Sequence, residues 1–140
     1  MAVVSLCAGA LCGPATVIKV DEAHEEKGPT LVTEERRGEF ERVVTSTSTW
    51  AIGRTDIRAV GLVGSWAREH ARMSSDVDFT VLTNDVDAYV TNAAWVEDVA
   101  GSRARLIRTQ KWGLLTERRV MLLPSGFEVE YGFAPTPTGC

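Results

Sequence analysis

A glycine-serine pair followed at short range by two aspartates one residue apart constrains this chain more than any other feature in it. Ala59, Val60, Leu62 and Val63 read as a short buried strand, and Gly64-Ser65 allows a tight turn from it into a helix over Trp66 to Met73. The first N–H groups of such a helix have no intrahelical acceptor and lie at the positive end of its dipole, a setting that suits a polyphosphate. Ser65 adds a hydroxyl there. Asp76 and Asp78, two apart on the next strand, put both carboxylates on one face, about 6–7 Å apart along the chain. Val77, Phe79, Val81 and Leu82 surround them, so the aspartates interrupt an apolar strand. Paired carboxylates repel unless a cation joins them, and magnesium is the natural candidate. The plainer reading is a helix-capping serine followed by two surface aspartates, and the apolar residues around the aspartates count against it.

These residues resemble the nucleotidyltransferase superfamily related to DNA polymerase beta. Its pattern is Gly-Ser, a short spacer, Asp-x-Asp, and a third acidic residue on a later strand with apolar flanks. Gly64-Ser65 and Asp76-Val-Asp78 match the first two parts, and Phe127-Glu-Val-Glu-Tyr131 offers the third. Ala67 and Arg68 also look like the Gly-Ser-x-Ala-Arg-Gly version of small bacterial and archaeal members, except that Glu69 stands where that version has glycine. The resemblance covers about Arg54 to Phe133. It implies a polymerase-beta-like nucleotidyltransferase fold, NTP as substrate, and one or two magnesium ions held by Asp76, Asp78 and Glu130. Strand alternation puts Glu128 and Glu130 on one face and does not separate them. Glu130 fits the family position better, bracketed by Val129 and Tyr131, and Glu128 is the fallback.

The resemblance further implies that Asp76 and Asp78 bridge the ions, with Glu130 nearer the nucleophile and able to act as its base. Gly64, Ser65 and the helix N-terminus would hold phosphates. Arg68 either meets a phosphate oxygen or forms a salt bridge with Glu69 or Glu97.

Composition bounds the rest. At 140 residues with a formal charge of −4, the chain is one domain without the global basic footprint of a duplex-DNA or bulk-RNA binder. A nucleic-acid acceptor is therefore disfavoured against a small molecule or a protein. The charge is uneven: Arg103, Arg105, Arg108, Lys111, Arg118 and Arg119 face only Glu117 between Gly101 and Val120, a run that reads first as the wet face of a hairpin. Cys7, Cys12 and Cys140 are odd in number and lack metal-ligand spacing, which argues against a disulfide scaffold and for a reducing cytoplasm. With only His24 and His70 available, zinc is not expected. Apolar Met1 to Gly13 lacks a basic n-region and is too short to span a bilayer.

Gly13-Pro14 and Gly28-Pro29 break the first segment around Thr16 to Val20, so residues 1–29 read as a poorly ordered leader, 30–134 as the domain and 135–140 as a tail. Thr33 is a plausible N-cap for an amphipathic helix carrying Phe40, Val43, Val44, Thr47 and Trp50 and ending at Gly53. Asn84-Asp85 would cap a second helix with Val86, Tyr89, Val90, Ala93 and Val96 on one side. Strands over Leu106–Gln110, Leu115–Leu123 and Phe127–Phe133 follow, joined by turns at Lys111-Trp-Gly-Leu and Pro124-Ser-Gly126. The expected fold is α/β: a mixed β-sheet with helices packed mainly on one side. Trp95, Trp112 and Tyr131 are expected to pack inside, and Trp66 lies near enough to the cradle for either role.

Two functions fit. One is a cytoplasmic magnesium-dependent nucleotidyltransferase moving an NMP from an NTP to an unidentified small-molecule or protein acceptor. The other is a catalytically weak nucleotide-binding regulatory or partner-binding module, similar to the antitoxin-like minimal members. Convergence of the three carboxylates would favour the first, and a separated Glu130 the second.

Overall fold

The structure is a computed structural model that describes residues 2–5, 16–19 and 32–137. The first long element is α1, Glu34–Ile52. The Thr33 side chain accepts from the Arg36 N–H at 3.1 Å, Glu34 and Glu35 complement the dipole, and Gly53 closes the helix. Its buried stripe is Val43, Thr47, Trp50 and Ala51, with Phe40 and Val44 packed at the margin.

Five strands form the body of the sheet: β3 (Ile57–Val63), β4 (Val77–Thr83), β5 (Ala104–Trp112), β6 (Leu115–Leu122) and β7 (Phe127–Pro135). They run in the order β3-β4-β7-β6-β5, with β4 and β7 parallel and the other neighbours antiparallel, so the sheet is mixed. Val77, Phe79, Val81, Val129, Tyr131 and Phe133 point to the face covered by the helices. Tyr131 centres that core: it stacks on Phe79 at 5.4 Å, meets the edges of Trp50 and Trp95, and shares a 2.8 Å hydrogen bond with Thr47. Among the described residues no helix covers the opposite face, which carries Asp78 and Glu130.

Four expectations need correction. Residues 2–5 and 16–19 are not left outside the sheet: β1 (Ala2–Ser5) pairs antiparallel with β3, and β2 (Thr16–Lys19) pairs with β1. The open edge of β3 offers a row of N–H and C=O groups, and short runs rich in β-branched residues suit pairing there. The rest of the expected leader, and 138–140 of the expected tail, lie outside the described residues.

The helix expected over Trp66–Met73 is a single turn. His70 N–H reaches the Ser65 carbonyl at 2.8 Å and Glu69 N–H the Trp66 carbonyl at 3.3 Å, with Glu69 left-handed at φ 61°. That pair of bonds around a left-handed residue is the helix-terminating arrangement that glycine usually supplies, and it stops the helix one turn after it starts.

The single helix expected after Asn84 is two: α2 (Asp87–Val90) and α3 (Ala94–Ala100). Thr91 turns its hydroxyl back on the Asp87 carbonyl at 2.6 Å, and Asn92 accepts from the Ala94 N–H at 3.0 Å, restarting the helix. The Arg118 guanidinium takes the carbonyls of Tyr89 and Asn92 at 2.6 and 2.8 Å, replacing the helical donors that the break removes.

Lastly, Trp112 is not in the core. It is 56% exposed near the β5–β6 turn, beside still more exposed Leu114, and its indole N–H donates to Glu117 at 2.8 Å. Trp95 and Tyr131 are buried as expected, and Trp66 joins them, stacked on Phe40 at 4.2 Å and edge-on to Phe127. Trp66 therefore holds the Gly-Ser turn against α1 and is no platform for a base.

Candidate active site

The parallel pairing of β4 with β7 sets Asp78 abreast of Glu130. Asp76 lies just before β4, and carboxylate oxygens of Asp76, Asp78 and Glu130 all come within 4.8 Å of one another. The three sequence candidates thus meet on the uncovered face of the sheet. Glu128 is not in the group; it sits two residues along the same face of β7, paired in register with Met121 rather than Arg119.

The cluster carries an electrostatic cost. Burial first, then the charges of Asp76 and Glu130, push the Asp78 carboxyl up to about 7, against the pull of Arg119. Hard oxygen donors this close suit a hard divalent cation, and a second positive charge would relieve the same repulsion. The donor set fits magnesium.

Gly64 turns the chain at φ 82°, a region that side chains rarely adopt. A β-carbon there would also lie 2.5 Å from Oδ2 of Asp78, so the turn and the carboxylate occupy one space. Ser65 follows, and among the described residues no backbone carbonyl accepts from the N–H groups of Ser65, Trp66 or Ala67, while those of Arg68, Glu69 and His70 are used within the turn. Arg68 is exposed, and among the described residues its side chain forms no salt bridge, to Glu97 or otherwise.

The sequence reading missed the cation in the middle of the site. Arg119, on β6, stands across from Glu130. Its Nη2 lies 2.8 Å from Asp76 and 3.2 Å from Glu130, and its Nη1 donates to Glu128 at 2.7 Å. Burial opposes that charge, but the hydrogen bond to Glu128 and the fields of Glu130 and Asp76 outweigh it and raise the pKa. Arg108 reaches Glu130 more loosely, at 3.3 Å, from a half-exposed position on β5. The signal was only partly available: a turn confined to Pro124-Ser-Gly126 would pair Leu123 with Phe127 and put Arg119 opposite Tyr131, whereas Leu122 pairs with Phe127 and brings Arg119 opposite Glu130.

No family model matches the chain, and no curated protein sequence matches it. Among solved structures it is similar to the Cid1 poly(U) polymerase, with a TM-score of 0.52 and 14% identity over 74% of this chain and 32% of that one. The fold resembles that of a nucleotidyltransferase. The chain spans about a third (32%) of that polymerase's length, and at 14% identity the likeness is one of fold alone. No helix among the described residues is long and apolar enough to cross a membrane.

Proposed function

We propose that this chain is a magnesium-dependent nucleotidyltransferase domain of the polymerase-beta-like superfamily, moving an NMP from an NTP to a small-molecule or protein acceptor in the cytoplasm. The observation that carries the reading is the convergence of Asp76, Asp78 and Glu130 beside the Gly64-Ser65 turn. A separated Glu130 would have favoured the binding-module reading instead.

Asp76, Asp78 and Glu130 would hold one or two magnesium ions. When bound, such ions neutralise phosphate charge and lower the pKa of an acceptor hydroxyl. Gly64 lets the backbone approach the triphosphate, and the N–H groups of Ser65, Trp66 and Ala67, with the Ser65 hydroxyl, are donors for its oxygens. Arg68, exposed and without a salt bridge among the described residues, is a cation for the phosphates. Glu130 lies abreast of Asp78 and nearer β6, a position from which it accepts the acceptor's proton.

The test is transfer of label from alpha-labelled NTPs to acceptors in fractionated cell extract, with magnesium and with Asp78→Asn as control. The reading expects magnesium-dependent labelling that Asp78→Asn abolishes while the fold persists. Labelling by Asp78→Asn equal to the parent's would sink it.

A further inference from the structure

We propose that Arg119 is a built-in counter-ion for the carboxylate cluster: it occupies the cation's place in the metal-free protein and withdraws onto Glu128 when a divalent cation binds. This rests on the reading of the cluster as a metal site.

The two ends of the guanidinium divide their work. Nη2 contacts Asp76 Oδ2 at 2.8 Å and Glu130 Oε2 at 3.2 Å, both atoms of residues in the three-carboxylate group. Nη1 contacts Glu128 at 2.7 Å, and Glu128 lies outside that group. A cation bound among the carboxylates competes with Nη2 for Asp76 and Glu130 and leaves Nη1 on Glu128. The Nε–H of Arg119 is buried without an acceptor, so this pose is not one that satisfies the whole side chain. Arg108, with one 3.3 Å contact and a half-exposed side chain, is too loosely held to do the same.

Without a cation, three carboxylates within 4.8 Å would spread or protonate. Arg119 keeps them gathered, and the planar fork spans both sets of acceptors as a lysine point charge would not. The consequence is a linkage of opposite signs. Removing Arg119 frees oxygens for the metal and should tighten binding. Removing Glu128 takes away the retreat of Arg119, leaves it fixed on Asp76 and Glu130, and should weaken binding although Glu128 is no ligand.

The experiment is calorimetric titration of the full chain with Mn²⁺ and with Mg²⁺, alongside circular dichroism of each variant. Arg119→Met should bind tighter than the parent by roughly 10-fold, the scale of one charge-assisted contact. Glu128→Gln should bind weaker in the parent background and make no difference in the Arg119→Met background. Affinity of Arg119→Met equal to or below the parent's overturns the proposal. So does an equal loss from Glu128→Gln in both backgrounds, which would mean that Glu128 acts through its own charge. If Arg119→Met does not fold, Glu128→Gln alone decides, and unchanged affinity there is fatal. Asp78→Asn separates this from the underlying reading: if the parent binds metal and Asp78→Asn does not, the metal site stands and only the role of Arg119 is at issue. If parent and variants alike bind none, the metal reading falls and takes this inference with it.

Discussion

Oδ2 of Asp78 lies where a side chain on Gly64 would begin: a β-carbon there would come within 2.5 Å of it. The Gly-Ser turn and the strand that carries Asp78 are therefore one packing unit, and the glycine is required by the carboxylate as much as by any phosphate.

Gly64→Ala should accordingly cost stability twice, through a left-handed alanine at about 1–2 kcal/mol and through displacement of Asp78. In an Asp78→Ala background the second part disappears, so the same glycine substitution should cost measurably less. Urea denaturation of the four proteins gives the comparison. Equal costs in both backgrounds would show that the turn yields without moving Asp78. Ser65→Ala, which removes one hydroxyl and no backbone N–H, should leave stability near that of the parent and weaken NTP binding only modestly.

The pH dependence of stability follows from Asp78. Its folded carboxyl is raised to about 7, above the ordinary value of 3.8, so its contribution is fully present below about pH 4 and is lost as pH rises through 7. The metal-free protein should melt at progressively lower temperature across that window, and Asp78→Asn should flatten the trend. Asp56 acts in the opposite sense: burial disfavours its charge, but hydrogen bonds from Tyr89 and Thr83 outweigh that and lower its pKa, so its contribution fades as pH falls into the acid range. Magnesium should raise the melting temperature more at pH 8 than at pH 6, since protons and metal compete for Asp78. A magnesium effect independent of pH would remove Asp78 from the site.

Glu69 holds a left-handed conformation that costs a non-glycine residue about 1 kcal/mol. Glu69→Gly should therefore raise the melting temperature by a few degrees, less the extra entropy of a glycine in the unfolded chain. Glu69→Val should lower it, because a β-branched residue tolerates that region worst. Thermal denaturation of the two variants against the parent settles the order. A Glu69→Gly variant that melts below the parent would mean that contacts of the Glu69 side chain outweigh its backbone strain, and Glu69→Val melting above Glu69→Gly would remove the strain itself.

How far the sequence spoke depended on whether local chemistry or tertiary contacts decided the outcome. Thr33, the acidic first turn and the Val43-Thr47-Trp50 stripe specify α1 locally, and the structure follows them. The strands around the Pro124-Ser-Gly126 turn were equally legible, and with them the shared face of Asp78 and Glu130. Glu69 was visible as a departure from glycine, but its left-handed backbone follows from how the turn closes, which periodicity does not report. Pairing of residues 2–5 with β3 depends on an edge that exists only once the sheet has formed. Trp112 was misread because a tryptophan's burial depends on which strand ends beyond the core, and β5 is an edge strand.

Arg118 and Arg119 are indistinguishable by residue type, yet strand alternation sends them to opposite faces. Arg119 enters the carboxylate cluster, whereas Arg118, only 7% exposed, lies on the helix side and holds the Tyr89 and Asn92 carbonyls together with the Thr109 hydroxyl. Arg118→Ala should destabilise the fold by about 2–4 kcal/mol, since charge-assisted hydrogen bonds are lost, the Asn92 carbonyl loses its donor and the Tyr89 carbonyl keeps only the Trp95 indole N–H. Arg118→Lys should recover only part of this, because one ammonium cannot reproduce the spread of the guanidinium's donors. Metal affinity, read by titration under conditions where the variants remain folded, should match the parent's in both. A change in metal affinity from Arg118→Lys as large as that from Arg119→Met would mean that the two faces of β6 are coupled, and that the helix break and the carboxylate cluster move as one.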